Sequence, residues 1–436
     1  MISFPKDFLW GTATAAYQIE GGATQDGRGP SIWDTFSHIP GNVENGDTGD
    51  IACDHYNRLE EDIELIADLV PHYRFSISWT RIFPTGEGEI NQKGVDFYNR
   101  LIDGLIAKGV EPWVTIYHWD LPQALQDKGG WANRDIIKWF ENYAITCVKL
   151  FGDRVKNWMI INEPSVVSYL GNALGFFAPG IKDENIYWAN VHHLNMVVGS
   201  SFQAMKAINP DLKIGSTYTP VPPRMVNEKD NDLVGLLECV WHYNFLHPLF
   251  TGKYPEIVAD KLAPFILEGD AEIMKVDLDF HGLQHYSAIY FDRNPNSVLG
   301  ATFASPPDDL PQSDLGWVID PKAFQDILLE LNEKYPGKLW IVTENGISLK
   351  DELIDGKVTD TRRIQYLKDY LHAVWNAKNQ GMDIRGYFVW SLMDNYEWAS
   401  GYGPRFGLVY IDYKNGQTRT RKESYYWYKN FIASQK

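Results

Sequence analysis

Cysteine is scarce in this chain: Cys53, Cys147 and Cys239 are the only three in 436 residues, widely separated and odd in number. They show no C-x-x-C spacing, so a disulfide framework and a thiolate metal cage are both excluded and reduced thiols are expected. No H-E-x-x-H occurs, and His192 and His193 are neighbours that a helix would turn to different sides, so no metal site is expected. A phosphate cradle and a dinucleotide fingerprint are also missing, and with them the case for a cofactor. No apolar run approaches the ~20 residues needed to cross a bilayer. The opening run Met1 to Asp7 lacks the basic start and apolar stretch of a secretory signal, so the chain reads as cytoplasmic with no membrane partner. Basic residues are in deficit, 40 Lys and Arg against 57 Asp and Glu for a net charge of −17, which argues against a nucleic-acid partner. Homo-oligomerisation leaves no readable sign.

What the chain has in excess is aromatic surface: 16 Trp, 24 Tyr and 21 Phe, or 14% of its residues. Many of these are expected to line a site. A pyranose offers a flat C–H face that packs on an aromatic ring, while its hydroxyls seek Asn, Gln, Glu and His. A large tryptophan-rich core is the alternative destination, and composition leaves it open.

Periodicity divides the chain into short β-rich runs separated by longer helical ones. The predicted strands are Phe8 to Thr14, Tyr73 to Trp79, Pro112 to Trp119, Asn157 to Asn162, Lys213 to Tyr218, Phe280 to Tyr286, Leu339 to Glu344 and Gly386 to Leu392. Between them lie helical segments such as Glu60 to Leu69, Lys93 to Lys108, Arg134 to Phe151, Tyr187 to Ile208, Pro321 to Tyr335 and Thr361 to Asn379. Eight such units without an internal linker predict an α/β fold, a single (β/α)8 TIM barrel over residues 1–436. Long stretches at Glu20 to Asp54, Thr219 to Asn244 and Asp292 to Asp320 predict elaborated loops on the rim at the carboxyl ends of the strands, where such barrels keep their active sites.

The strand ends carry the chemistry. In order they offer Gln18, Arg74 with Trp79, His118 with Trp119, Asn162 with Glu163, Tyr286, Glu344 and Trp390, with Glu397, Trp398 and Phe406 just beyond. Glu163 and Glu344 close the runs Ile161-Asn162-Glu163-Pro164 and Val342-Thr343-Glu344-Asn345-Gly346. Alone, each is more often a loop residue in a salt bridge than a catalyst. Together, two carboxylates among indole faces are what glycosidic-bond hydrolysis requires, one to protonate the leaving oxygen and one to attack or stabilise the sugar cation.

The run Phe8-Leu9-Trp10-Gly11-Thr12-Ala13-Thr14-Ala15-Ala16-Tyr17-Gln18-Ile19-Glu20-Gly21 resembles the opening signature of the glycoside hydrolase family 1 β-glucosidases. Arg74-Phe75-Ser76-Ile77-Ser78-Trp79, the two glutamate runs, and Trp390-Ser391-Leu392-Met393-Asp394-Asn395 leading to Glu397-Trp398 extend the resemblance over the full length. It implies Glu163 as acid/base and Glu344 as nucleophile of a retaining double displacement, with the carboxyls about 5–5.5 Å apart. It also implies Arg74 and Tyr286 as partners that keep Glu344 charged. Gln18, His118, Trp119, Asn162, Glu397 and Trp398 are implied to bind the sugar, Trp390 to be its stacking floor, Phe406 a wall and Trp317 a platform for the leaving group.

The chain departs from the family pattern at Gln284, which stands where an asparagine is usual and is expected to support Glu163. His281 and His285 are additional imidazoles without an assigned role. Relatives that act on 6-phosphorylated glycosides usually carry a serine near position 397 with a lysine and a tyrosine downstream. Here a carboxylate is expected to repel a phosphate and accept hydrogen bonds from hydroxyls, with Arg405 a nearby cation. A 6-phospho-β-glycosidase, a non-catalytic sugar-binding barrel and a transglycosylase are the competing readings. β-Galactosidase and β-fucosidase side activities are open.

Overall fold

The computed structural model describes residues 2–435. Eight parallel strands close a barrel: β1 (Leu9–Ala13), β2 (His72–Ser76), β3 (Glu111–Tyr117), β4 (Asn157–Asn162), β5 (Lys213–Tyr218), β6 (Phe280–Gln284), β7 (Leu339–Asn345) and β8 (Asp383–Trp390). Each pairs with the next and β8 returns to β1, with Leu9 against Gly386 and Ala13 against Trp390. The α/β barrel expected from the sequence is the fold observed. β2, β3, β6 and β8 stop two or three residues short of their expected ends, because the residues beyond leave the ladder to build the rim.

The strands are sheathed by helices, two of which start at a side-chain cap. α1 (Leu59–Leu69), α2 (Gln92–Ala107) and α3 (Ile136–Phe151) cover the first half. α4 (Glu184–Ile208) begins where the Asp183 carboxylate accepts the Ile186 amide at 2.9 Å, and α5 (Asn244–Thr251) follows β5. α6 (Pro321–Lys334) is capped by Asp320, which accepts the Ala323 amide at 2.9 Å, with Pro321 in the first turn where its missing N–H costs nothing. α7 (Thr361–Asn379) and α8 (Glu423–Ser434) complete the ring.

Twelve of the sixteen tryptophans are buried, and all but Trp119, Trp390 and Trp398 of these pack away from the candidate site, so most of the tryptophan excess fills core. Trp79 is the clearest correction. It lies past the end of β2 in the short helix Trp79–Ile82, stacks on Tyr143 of α3 at 4.6 Å and donates its indole N–H to the Gly86 carbonyl. It therefore packs between strand and helix and adds nothing to the pocket. Inside the barrel, Trp113, Met159, Phe280, Ile341 and Phe388 form a plug that closes the floor.

The long connections carry structure of their own. Residues expected as loop between Thr219 and Asn244 include the strand Pro223–Met225, which joins Ile289–Arg293 and Ala301–Phe303 in a three-stranded sheet outside the barrel. All three cysteines are buried and unpaired. Among the described residues, no helix is long and apolar enough to cross a membrane.

Candidate active site

Side chains alternate in and out along a strand, and the apolar plug fixes the parity: Met159 of β4 and Ile341 of β7 point inward. Strict alternation would then send Asn162 and Glu344 outward. Both are turned in because the pairing register slips by one residue. Met159 faces Gly215 but Asn162 faces Thr217, and Val342 faces Leu283 while Glu344 faces Gln284. These two irregularities bring Asn162 and Glu344 to the interior.

Glu344 is held by three donors. Arg74 Nη1 reaches its Oε1 at 2.5 Å, Gln284 Nε2 the same oxygen at 2.7 Å, and the Tyr286 hydroxyl its Oε2 at 2.6 Å. Burial raises this carboxyl above its ordinary value, while the Arg74 charge and the Tyr286 bond pull it back. Glu163 is also buried but lacks comparable partners. Burial first, then the charge of Glu344, lift it well above the ordinary carboxylate range. Of the two, Glu163 takes the proton first. Its backbone is left-handed, φ +46°, at the turn from β4 into the helix Pro164–Ser168. Trp119 and Trp398 share that unusual conformation at +76° and +53°, so backbone strain gathers around this pocket.

The expected partner of Gln284 is corrected here: its amide serves Glu344 and Asn162, at 2.7 Å each, rather than Glu163. The longer side chain reaches across the interior from β6 to both neighbours. Asn162 is the hub, its Oδ1 accepting from Arg74 Nη2 at 2.5 Å, Gln284 and Thr217 Oγ1. Its Nδ2 must then donate to His118 Nε2, 3.1 Å away. Burial and the Arg74 charge hold His118 well below its ordinary pKa, so the ring is neutral with its proton on Nδ1. That N–H has no protein partner, nor have the buried oxygens Gln18 Oε1, Gln284 Oε1 and Glu397 Oε2. Gln18 is oriented by Nε2 bonds to Asn395 Oδ1 and the Tyr396 carbonyl.

Aromatic rings enclose this polar set. His118 lies parallel to Trp390 at 5.8 Å and to Trp398 at 6.0 Å, and Trp119 packs on Trp398 at 4.5 Å while its N–H donates to the Asn162 carbonyl. Trp390 and Phe406 share an apolar patch with Tyr286 at its edge. Trp317 stands 5.6 Å from Tyr286 and 5.9 Å from Phe406, and is 37% exposed. Every predicted site residue except Trp79 is therefore in or beside one pocket. Strand β5 also contributes: Thr217 donates to Asn162, and the Thr219 side chain lies beside Glu163 and favours its charged form. Both follow Gly215 at two-residue steps, the inward parity of that strand.

His281 and His285 lie in the wall. His281 packs between Phe250 and Trp340, and His285 stacks flat on Phe324 with Nδ1 against the Pro220 carbonyl. Glu397 differs from expectation. Burial, then the Glu344 charge, push it up to about 8, so near neutral pH it is mainly protonated and does not repel an anion. Arg405 is not free to bind one either, since its Nη1 donates to Asp394 Oδ2 at 2.6 Å. Among the described residues no group of three or more His, Cys, Asp or Glu could hold a metal ion.

Paired buried carboxylates in a hydroxyl-seeking, indole-lined pocket at the carboxyl ends of a closed (β/α)8 barrel define the class of barrel glycosidases. The model of Glycosyl hydrolase family 1 matches residues 1–436, and the chain belongs to that family. It is 47% identical over 443 residues to the 1,4-beta-D-glucan glucohydrolase of Thermotoga neapolitana, covering 100% of this chain and 99% of that one. It is 46% identical to Beta-glucosidase A of Thermotoga maritima, covering 99% and 98%. The solved structure of the Thermotoga maritima beta-glucosidase in complex with deoxynojirimycin superposes with a TM-score of 0.94 at 45% identity, over 100% and 99% of the two chains.

Proposed function

We propose that the chain, as one catalytic unit, is a retaining β-glucosidase that removes terminal β-D-glucosyl residues from short, unphosphorylated glucosides such as cellobiose and aryl β-glucosides. The observation that carries this reading is the unequal treatment of two buried carboxyls, one held by three donors and the other left to be protonated. In the first step Glu344 attacks the anomeric carbon while Glu163 gives its proton to the leaving oxygen. Formation of the glycosyl ester removes the charge that is the second cause of the raised pKa of Glu163. Glu163 then becomes more acidic and takes a proton from the water that displaces Glu344. Gln18, His118, Asn162, Glu397 and Trp398 hold the hydroxyls, Trp390 and Trp119 the ring, Phe406 the wall and Trp317 the leaving group. His118 presents Nδ1–H as a donor, and Glu397 both accepts and donates.

Preference for an unphosphorylated sugar rests on the two cations paired at the base of the loop that carries Glu397. Arg405 and Lys422 are both engaged by Asp394, which leaves neither to hold a phosphate. Similarity to the 1,4-beta-D-glucan glucohydrolase and the Beta-glucosidase A of two Thermotoga species supports the glucoside reading. Side activity on β-galactosides, β-fucosides and sugar acceptors remains within the same chemistry.

The test compares an aryl β-glucoside with its 6-phosphate. Turnover of the unphosphorylated substrate alone is expected, with near-total loss in Glu344→Ala and a loss of about 10²–10⁴ in kcat for Glu163→Gln. NMR of the first product should show β-glucose. Preferred use of the phosphate ester, full activity without Glu344, or initial α-glucose would each sink part of the proposal.

A further inference from the structure

Beneath the pocket lies a balanced ion cluster: Asp351, Asp360 and Asp394 against Arg363, Arg405 and Lys422. All are buried except Arg405, which sits at the solvent edge. Asp394 is its centre. Oδ1 accepts from Lys422 Nζ at 2.6 Å and the Gly407 amide at 3.0 Å, while Oδ2 accepts from Arg405 Nη1 at 2.6 Å and the Ile411 amide at 3.4 Å. Asp394 stands on the outgoing leg of the loop after β8, and three of these donors, from Arg405, Gly407 and Ile411, belong to its returning leg. One carboxylate therefore clamps the base of the loop that carries Glu397, Trp398 and Phe406.

The cluster also reaches the loop after β7, the strand that carries Glu344. Lys422 Nζ donates to Asp351 Oδ2 at 2.5 Å, and Arg363 Nη2 donates to the same carboxylate at 2.8 Å and to the Arg405 carbonyl at 2.7 Å. Leu349 donates its amide to that same carbonyl at 3.1 Å. Buried ion pairs seldom stabilise a fold more than well-packed apolar groups of the same volume, but they do hold one geometry. Misplacement of a binding group by about 1 Å can cost ~10²-fold in rate.

We infer that the Asp394–Lys422 clamp is a specificity-determining device: it holds Glu397 and Trp398 against the far edge of the sugar and so sets recognition of the 6-hydroxyl. This rests on the proposed function, in which Glu397 holds hydroxyls, and on the resemblance, which sets position 397 beside the 6-position of the sugar. Lys422 and Asp394 are positioning residues, acting through Glu397 and Trp398.

The experiment measures kcat and KM for an aryl β-glucoside and its 6-deoxy analogue, which lacks only that hydroxyl. In Lys422→Met, KM for the glucoside should rise about tenfold with kcat within threefold, while the 6-deoxy substrate changes less than twofold and Lys422→Arg restores most of the difference. Equal losses on both substrates, or no change on either, would overturn the clamp's role. If Lys422→Met does not fold, Arg405→Gln removes another partner of the same carboxylate and is read identically. Glu397→Ala is the reference. If it abolishes the preference for the 6-hydroxyl while Lys422→Met keeps it, only the clamp is refuted. If Glu397→Ala keeps the preference, the reading of Glu397 falls and the clamp's role with it.

Discussion

Three glutamates share this pocket, and the environment of each decides what it can do. Glu344 is surrounded by donors, Glu163 by little besides Thr219, and Glu397 has one oxygen without a protein partner. Glu397 carries a cost that can be measured. Its pKa rises from an ordinary 4.5 to about 8 on folding, chiefly through burial. Between those values the folded state retains a proton that the unfolded state has released, so stability falls as pH rises across that window. At 1.36 kcal/mol per pH unit the window is worth up to about 5 kcal/mol. Glu397→Gln escapes this penalty. Denaturant unfolding should show the variant gaining on the parent by several kcal/mol between pH 4.5 and 8 while losing activity, and a constant gap across that range would contradict the protonated state assigned here.

Among the elements, the ends of β4, β7 and β8 matter most, because their register decides which side chains face the pocket. Glycine is required where two of them meet. A Cβ on Gly346 would sit 1.8 Å from the carbonyl oxygen of Trp390, a backbone atom that cannot rotate away. Gly346→Ala should therefore displace the carboxyl end of β8 and lower kcat/KM by tenfold or more with the far-UV circular dichroism preserved. Activity within twofold of the parent would show that these ends are looser than drawn. The same scale explains what could be read in advance. Strand and helix positions were legible from the alternation of β-rich and helical segments, and Glu163 and Glu344 from the runs that end in them. The inward orientation of Asn162 and Glu344 was not, since the one-residue slips arise from pairing with β5 and β6, and no pattern internal to β4 or β7 encodes them. Trp79 was misplaced for a related reason: an aromatic at a strand end reads the same whether it turns toward the axis or toward a covering helix.

For the whole molecule, closure of the barrel separates a dry interior from a reactive rim. Cys53, Cys147 and Cys239 are all buried, and burial pushes the thiol of Cys239 up to about 12 and that of Cys53 well above its ordinary value. A thiol reagent should modify none of them in the native protein at pH 8 and all three after denaturation; rapid reaction of any one in the folded state would place it elsewhere. The amino-acid sequence by itself determined the barrel, the pair of glutamates and the family, because strand periodicity, turn residues and motif order are local properties carried along the chain. Tertiary structure alone decided why Glu163 rather than Glu344 holds the proton, that Gln284 serves Glu344, that Glu397 is mainly neutral, and that Asp394 ties together the two legs of the loop that carries Glu397. Those outcomes depend on burial and on charges brought together from residues hundreds of positions apart, such as Arg74 and Glu344, and only closure of the barrel creates that proximity.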